Sequence, residues 1–326
     1  MSNCQSPKVS IVLPTYNGSK YIRQSIDSCL NQTFKDFELI IIDDCSTDNT
    51  SEIIKSYTDP RIRYIRNQQN QRLPRSLNIG FEQARGKYLT WTSDDNIYAA
   101  QAIEKMLNFL VEHQYEFVFC DYYTFDYDNL QQATLVRLPS IVAFDKINPI
   151  RACFLYTRNV KEVTGDYDPE KELGEDYEYW IRVSLKFTMN HYSEPLYYYR
   201  VHKAQLYSSR FWEVEVVKLL VRLQYSITDM NEITRQFTEL IAQKRKLFPC
   251  LNRTLTRYLC FKQIYKMLLD FKTGQIDFLT VKQDLHSFID SRFIKILIFS
   301  VFGLLTRNSS GNFTIQSETE KQKENR

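Results

Sequence analysis

Apolar and polar positions in the first third of the chain switch between two periods. Val9-Ser10-Ile11-Val12-Leu13 is a short apolar run stopped by Pro14, a pattern that predicts a buried strand. Ile22, Ile26, Cys29 and Leu30 then fall on one face at helical spacing. Glu38-Leu39-Ile40-Ile41-Ile42 predicts a second buried strand, ending in Asp43-Asp44. Thr50 to Tyr57 reads as helical, Ile62 to Ile65 as extended, and Pro74 to Arg85 as a helix with Pro74 in its first turn, where a missing N–H is tolerated. Lys87-Tyr88-Leu89-Thr90-Trp91 predicts a further strand, and Ala99 to Glu112 a helix with Ile103, Met106, Leu107 and Leu110 inward. Strand and helix in this rhythm argue for an α/β fold with a doubly wound, mostly parallel sheet.

The rhythm changes after Pro195. Eight of the nine prolines lie at or before it, leaving only Pro249 beyond. From about Ser209 the pattern is helical, through Val214, Val217, Leu220 and Val221, then Leu255, Leu259 and Ile264. This predicts three regions: a catalytic or binding domain over residues 1–207, a helical C-terminal region over 208–306, and a polar tail over 307–326 too poor in apolar residues to order itself. The apolar run Phe293 to Leu305 is shorter than the about 20 residues a membrane-spanning helix needs. It reads either as a buried terminal helix or as an interfacial one, with Arg292, Lys295 and Arg307 at lipid headgroups.

A formal net charge of +3 on 326 residues is too small to point to nucleic acid. The outlier is aromatic content, 22 Tyr and 21 Phe against 8 Gly; tyrosine faces suit sugar and base stacking, with core packing the expected use of most. The cysteines number seven, an odd count without a C-x-x-C pair, which disfavours a zinc knuckle or a disulfide framework and suits a reducing cytosol. Met1-Ser2-Asn3-Cys4-Gln5 lacks the basic-then-apolar pattern of a secretory signal, so a cytoplasmic location is expected, with peripheral contact at the inner membrane face as an open option. No G-x-G-x-x-G follows the first strand, and neither G-x-x-x-x-G-K-[ST] nor H-E-x-x-H occurs, which removes dinucleotide oxidoreductases, P-loop enzymes and zinc hydrolases from the leading classes.

Ligands of a parallel sheet collect beyond the carboxyl ends of its strands. Three polar clusters are expected there: Pro14-Thr15-Tyr16-Asn17-Gly18, Asp43-Asp44-Cys45-Ser46-Thr47-Asp48 and Thr92-Ser93-Asp94-Asp95-Asn96. Carboxylates converging from two strand ends repel unless a positive charge lies between them. A hard cation with oxygen ligands, Mg²⁺ or Mn²⁺, answers that need and brings a diphosphate with it. Each Asp pair alone reads equally well as a loop turn or helix cap.

These segments also resemble a known family. Val9 to Gly18, Ser28-Cys29-Leu30-Asn31-Gln32-Thr33-Phe34, and Phe37 running to Asp48 look like the opening of the family 2 glycosyltransferases with the GT-A fold. Arg72-Leu73-Pro74-Arg75-Ser76-Leu77-Asn78-Ile79-Gly80 is similar to the segment before the family's metal motif, and Gly86-Lys87-Tyr88-Leu89 leads into Ser93-Asp94-Asp95-Asn96-Ile97-Tyr98. Gly174-Glu175-Asp176-Tyr177-Glu178-Tyr179-Trp180-Ile181-Arg182 resembles the acidic motif that carries the base, and Tyr199-Arg200-Val201-His202 a late motif. The similarity spans roughly Lys8 to His202 and leaves the chain after Tyr207 uncovered.

The resemblance implies an inverting, metal-dependent transferase that uses Mn²⁺ or Mg²⁺ and a nucleotide-sugar donor of UDP or dTDP type. Pro14, Thr15 and Tyr16 would pack the base, Asp44 would accept from its N–H, and Asp43 would support the loop. Arg72 would contact base or phosphate, Asp94 the ribose, and Asp95 the metal, which neutralises the departing diphosphate. His202, and with it Arg200, would reach the metal or diphosphate, although a lone His after a strand is often structural. Inversion needs a base on the sugar face opposite the leaving group; Asp176 fits that motif position, with Glu175 the adjacent alternative and a dipole-favoured carboxylate at a helix start the plain reading. The expected acceptor is a glycan or lipid-linked sugar in cell-surface polysaccharide synthesis. Two other classes stay open: a sugar nucleotidyltransferase, which should carry a Gly-rich basic loop where Pro14-Thr15-Tyr16-Asn17 stands, and a non-catalytic nucleotide- or glycan-binding relative, which would need no base.

Overall fold

The computed structural model describes residues 6–126, 129–140, 142–144, 148–150, 153–244, 264–289, 305–307 and 313–315. Two compact units emerge, Met1–Arg222 and Leu223–Arg326.

In the first unit β1 (Val9–Thr15) and β2 (Phe37–Asp43) are buried at every position, as expected of strands covered on both faces. Between them runs α1 (Ile22–Leu30), which buries Ile22, Ile26 and Cys29 and leaves Leu30 at the margin. Then follow α2 (Thr50–Lys55), β3 (Ile62–Arg66), α3 (Arg72–Gln83), β4 (Tyr88–Trp91), the two-residue β5 (Ile97–Tyr98) and α4 (Ala102–His113). The four α4 side chains expected inward are all buried. The first half thus follows the periodicity within a residue or three at each end.

The chain continues through β6 (Phe117–Asp126), β7 (Thr134–Val136), β8 (Phe154–Thr157), α5 (Arg158–Thr164), α6 (Glu175–Ser184), β9 (Asn190–Val201), α7 (Leu206–Ser209) and α8 (Phe211–Gln224). The sheet runs β3-β2-β1-β4-β8-β6-β9-β5, with β7 beside β6. Strands β3, β2, β1 and β4 are parallel, as are β6 and β9. Strand β8 enters antiparallel between β4 and β6, and β5 pairs antiparallel with β9.

The surplus of rings fills the core beneath the second half of this sheet. Trp180 of α6 meets Phe154 edge-on at 4.6 Å and Phe117 at 5.3 Å, and Tyr167 stacks on Tyr179 at 4.1 Å. Such edge-to-face and offset contacts favour a ring cluster beyond its buried area.

Helix α8, up to Arg222, lies in the first unit, beyond the compositional boundary at 207. The reason is close packing on α6: a Cβ added to Gly174 would stand 2.5 Å from Val217 Cγ1, and Arg222 Nε donates to the Tyr177 hydroxyl at 3.0 Å. In the second unit, α9 (Met230–Lys244) buries Ile233 and Phe237, and the helix Phe278–Ile289 buries Phe278, Val281 and Leu285 at helical spacing. Short strands Leu305–Arg307 and Phe313–Ile315 pair antiparallel, where a structureless tail from 307 was expected; the rest of that tail and the run Phe293–Leu304 lie outside the described residues. Among the described residues no helix is long and apolar enough to cross a membrane.

Candidate functional site

Strand β1 has β2 on one side and β4 on the other, so the order reverses there and opens a crevice beyond their carboxyl ends. The loops after β1 and β2 are laced together at this edge. The backbone N–H of Asn17, held at φ +55°, donates to Ser46 Oγ at 3.0 Å, and Asn17 Oδ1 accepts from the Thr47 N–H at 2.8 Å. Pro14 and Thr15 are buried in β1, while Tyr16 stands 50% exposed with its ring free to stack.

Asp43 and Asp44 divide between the loop and the start of α3. Asp43 is fully buried and accepts from the Ser46 N–H at 2.8 Å, Ser51 Oγ at 2.6 Å, Tyr64 OH at 2.8 Å and Arg66 Nη1 at 3.0 Å. Burial pushes its carboxyl up, but those donors outweigh it and hold the pKa below the ordinary range. Asp44 turns to the start of α3, where Oδ1 accepts from Asn67 Nδ2 and the Gln71 N–H, each at 2.7 Å, and Oδ2 from the Arg72 N–H at 2.9 Å. It therefore satisfies backbone donors that the start of a helix leaves open, and Oδ2, with one donor, has capacity for another. Arg72 presents that N–H at φ +70°, and its side chain, 65% exposed, lies 3.8 Å from Glu172.

Across the crevice, the segment after β4 carries the second pair. Thr15 Oγ1 donates to Asp94 Oδ2 at 2.5 Å, joining the ends of β1 and β4. Gly18 passes so close that a Cβ there would stand 2.2 Å from Asp94 Oδ2 and 2.6 Å from Thr15 Oγ1. Burial first, and then the charge of Asp95, push the Asp94 carboxyl up to about 7.

Asp95 is brought to the C-terminal end of β9 by sheet register: β5 pairs Ile97 with Tyr198 and Tyr98 with Tyr197, so the chain just before β5 meets the chain just after Tyr198. His202 Nε2 lies 3.0 Å from Asp95 Oδ2, and its ring packs 5.1 Å from Tyr21. Asp95 Oδ1 is buried with no hydrogen-bond partner among the described residues. Arg200, fully buried, donates its backbone N–H to Asn96 Oδ1 at 2.8 Å and its Nε to the Asp95 carbonyl at 2.8 Å, and its guanidinium sits 4.2 Å over the Tyr21 ring. Its contacts place it beneath the motif, fixing that backbone.

Asp95 and His202 are the side chains suited to hold a divalent ion. No group of three or more His, Cys, Asp or Glu side chains that could cage a metal occurs among the described residues. A buried carboxylate oxygen lacking a partner, with one imidazole beside it, fits an ion whose remaining ligands are water and phosphate oxygens, the usual manner of Mg²⁺.

The third acidic pair opens α6. Asp176, half-buried, accepts from Asn148 Nδ2 at 2.8 Å through Oδ2 and from the Tyr177 N–H at 2.6 Å through Oδ1. Glu175 is buried, its Oε2 has no partner among the described residues, and burial followed by the charge of Asp176 push it up to about 8.

Residues 10–170 match the profile described as glycosyl transferase family 2. An uncharacterized glycosyltransferase of Rickettsia prowazekii (strain Madrid E) is 31% identical over 225 residues, which cover 65% of this chain and 70% of that protein. The chain belongs to glycosyltransferase family 2. Another member, TuaG of Bacillus subtilis (strain 168), provisionally named a teichuronic acid biosynthesis glycosyltransferase, is 29% identical over 211 residues, 63% of this chain and 83% of its own. Among solved structures, residues 1–349 of S. aureus TarS in complex with UDP-GlcNAc superpose with a TM-score of 0.56 at 16% identity, covering 95% of this chain and 97% of that one. The mannosyltransferase PcManGT of Pyrobaculum calidifontis, in complex with GDP-Man and Mn²⁺, gives a TM-score of 0.55 at 15% identity, covering 87% and 86%. The fold is GT-A.

In this family 2 chain, contacts join Thr15, Asp94, Asp95 and His202 at one edge and Asp44 with Arg72 at the adjoining one. Glu172, which precedes the third pair, is shared by Arg72 at 3.8 Å and Arg210 at 3.5 Å. Sequence reasoning missed Asn148 and Gln205. Asn148 stands in an irregular segment where only the following Pro149 punctuates the chain, and no motif marks it. Gln205 accepts from the His202 N–H at 3.3 Å and donates to the Arg200 carbonyl, three and five residues away, a local turn that spacing alone could have suggested.

Proposed function

We propose that this family 2 glycosyltransferase moves one sugar, with inversion, from a nucleoside-diphosphate sugar of UDP or dTDP type to a glycan or lipid-linked acceptor of a cell-surface polysaccharide. The observation that carries the reading is Asp95: a buried carboxylate with one oxygen on His202 and the other without a partner among the described residues, beside Asp94 at the strand-order reversal. A buried carboxylate oxygen without a partner is unfavourable, and a divalent ion relieves it. Asp95 and His202 would hold Mn²⁺ or Mg²⁺, which as a Lewis acid would neutralise the departing nucleoside diphosphate.

The remaining roles fall to the chain itself. The exposed face of Tyr16 offers a stacking surface for the base, and Asp44 Oδ2 has room for one more donor. Asp94 would accept from a ribose hydroxyl, a role supported by the Thr15 hydroxyl that holds its carboxyl. Asp176 is the base: as the acceptor oxygen bonds to the anomeric carbon and the bond to phosphate breaks, its carboxylate takes the acceptor's hydroxyl proton. Glu175 is the less suitable member, because it is buried and burial pushes its carboxyl up, toward the protonated form. The related TuaG and the structurally similar TarS support a cell-surface product. A location at the cytoplasmic face of the membrane is part of the same proposal, since nucleotide sugars would reach the site there.

The test is a donor panel (UDP-Glc, UDP-GlcNAc, dTDP-rhamnose and GDP-Man) read by thermal shift and donor hydrolysis with Mn²⁺. One UDP or dTDP sugar should raise Tm and be hydrolysed, since a bound donor stabilises in proportion to its affinity. Asp95→Ala should abolish both effects of Mn²⁺, and Asp176→Asn should keep the Tm rise and lose transfer. Metal-independent turnover in Asp95→Ala, or a Tm rise with GDP-Man alone, would overturn the metal or the donor assignment respectively.

A further inference from the structure

We infer that Asn148 is a positioning residue for the base, fixing the rotamer of the Asp176 carboxylate and favouring its ionised form; this rests on the reading of Asp176 as proton acceptor. Asn148 is 6% exposed and lies between β7 and β8 over the start of α6. Its amide has one consistent orientation: Oδ1 accepts from the Ile150 N–H at 3.2 Å, so the NH₂ group faces Asp176 Oδ2 at 2.8 Å. A flipped amide would set two oxygens against each other and turn an NH₂ toward the Ile150 N–H. A second tie joins the same two elements, because the Tyr177 hydroxyl donates to the Phe144 carbonyl and accepts from Arg222 Nε at 3.0 Å.

The surroundings explain the need for such a donor. Glu175 precedes Asp176, Glu172 lies one turn earlier, and the buried Tyr167 phenol feels the charge of Asp176. From α6 itself Glu178 is neutralised by Arg182, with contacts of 2.8 and 2.9 Å, and from α8 Arg222 donates to the Tyr177 hydroxyl. Glu172 is shared between Arg72 and Arg210. Donors stand on both oxygens of Asp176, and hydrogen bonds to the charged form of a carboxyl favour that form. The Asn148 amide supplies one of them without adding charge.

The test titrates the Asp176 carboxyl by ¹³C NMR in aspartate-labelled protein, its signal identified by its loss in Asp176→Asn. Asn148→Ala should raise the Asp176 pKa and the acid limb of the kcat profile by about half a unit to one unit, since one hydrogen bond to the charged form is lost. Asn148→Asp, which keeps the size and the bond to Ile150, should raise both further, and it serves if the alanine variant fails to fold. In either variant kcat on the plateau should fall about tenfold through lost orientation, with KM for the donor that gives the largest thermal shift unchanged within about twofold. A folded Asn148→Asp enzyme with an unmoved titration would overturn the inference while leaving Asp176 as base. Full transfer by Asp176→Asn would overturn the base reading, and the inference with it.

Discussion

At the residue scale, the three acidic pairs show that adjacent carboxylates take opposite parts because of what each touches. Asp43 is ringed by donors and folds the loop, while Asp44 caps α3. Asp95 meets His202, and Asp94 meets Thr15. Glu175 and Asp176 split most sharply, one buried and pushed up to about 8, the other hydrogen-bonded on both oxygens. A pH prediction follows for Glu175. Its folded-state pKa lies above the unfolded value of about 4.3, so its contribution to stability is fully present below that value and is lost as pH rises through about 8. Glu175→Gln cannot ionise. Relative to this variant, wild-type Tm should therefore fall progressively from about pH 5 to pH 9, on the unfolded and folded values just given. Parallel Tm curves across that range would show that Glu175 is not held neutral by the fold.

At the scale of elements, Glu38 titrates in the opposite sense. It sits on β2 with its side chain 3% exposed and ties three neighbours together. Ser10 Oγ of β1 donates at 2.7 Å, Arg63 Nη1 of β3 at 3.0 Å, and Arg85, between α3 and β4, through its N–H at 2.7 Å and its Nε at 3.0 Å. Burial pushes the carboxyl up, but these donors outweigh it and leave the pKa below the ordinary value. Its stabilisation is thus present above the unfolded pKa of about 4.3 and lost as pH falls through the folded value. Glu38→Gln should destabilise the first unit by about 2–3 kcal/mol at pH 7, because two arginines lose their charge partner while most of the hydrogen bonds find a weaker acceptor. The gap to wild type should narrow as pH falls below about 4.3 and close only below the lowered folded value, where both side chains are neutral. Denaturant melts at pH 7 and pH 3.5 check this, and a gap independent of pH would show that shape, not charge, is what Glu38 supplies.

The elements also show what periodicity could and could not reveal. Strands β1 to β4 and their helices were legible because each is a continuous apolar run or a clean helical stripe bounded by Pro, Gly or Asp. Strands β6 and β9 carry Tyr and Phe on both faces, which hid their alternation, and β8 is only four residues long, which left its reversed direction unread. In the candidate site, the side chains brought into contact lie within the motifs, from Thr15 to His202. Asn148 was not, because its meaning depends on a contact across 28 positions with Asp176, which no local spacing encodes.

At the scale of the whole molecule, composition set a boundary at 207, whereas packing sets it near the end of α8, after Arg222. A shift from mixed to helical sequence marks where strands stop, not where a core stops growing. Helix α8 buries Val214, Val217, Leu220 and Val221, presses Val217 against Gly174 just ahead of Glu175, and sends Arg222 to the Tyr177 hydroxyl. The acidic pair on α6 is therefore backed by a helix outside the segment that resembles the family's motifs. We propose accordingly that the smallest donor-binding fragment ends near 224 and not at 207. A fragment of residues 1–224 should melt cooperatively and gain Tm with Mn²⁺ and the donor that stabilises the full chain. A fragment of residues 1–207 should lose that gain, because it uncovers Gly174 and Tyr177 at the start of α6. Val217→Asp in the full chain makes the same test without truncation, setting an unpaired charge against the start of α6 at an expected cost of about 3 kcal/mol or more. A 1–207 fragment that binds donor as tightly as the full chain would return the boundary to where composition drew it.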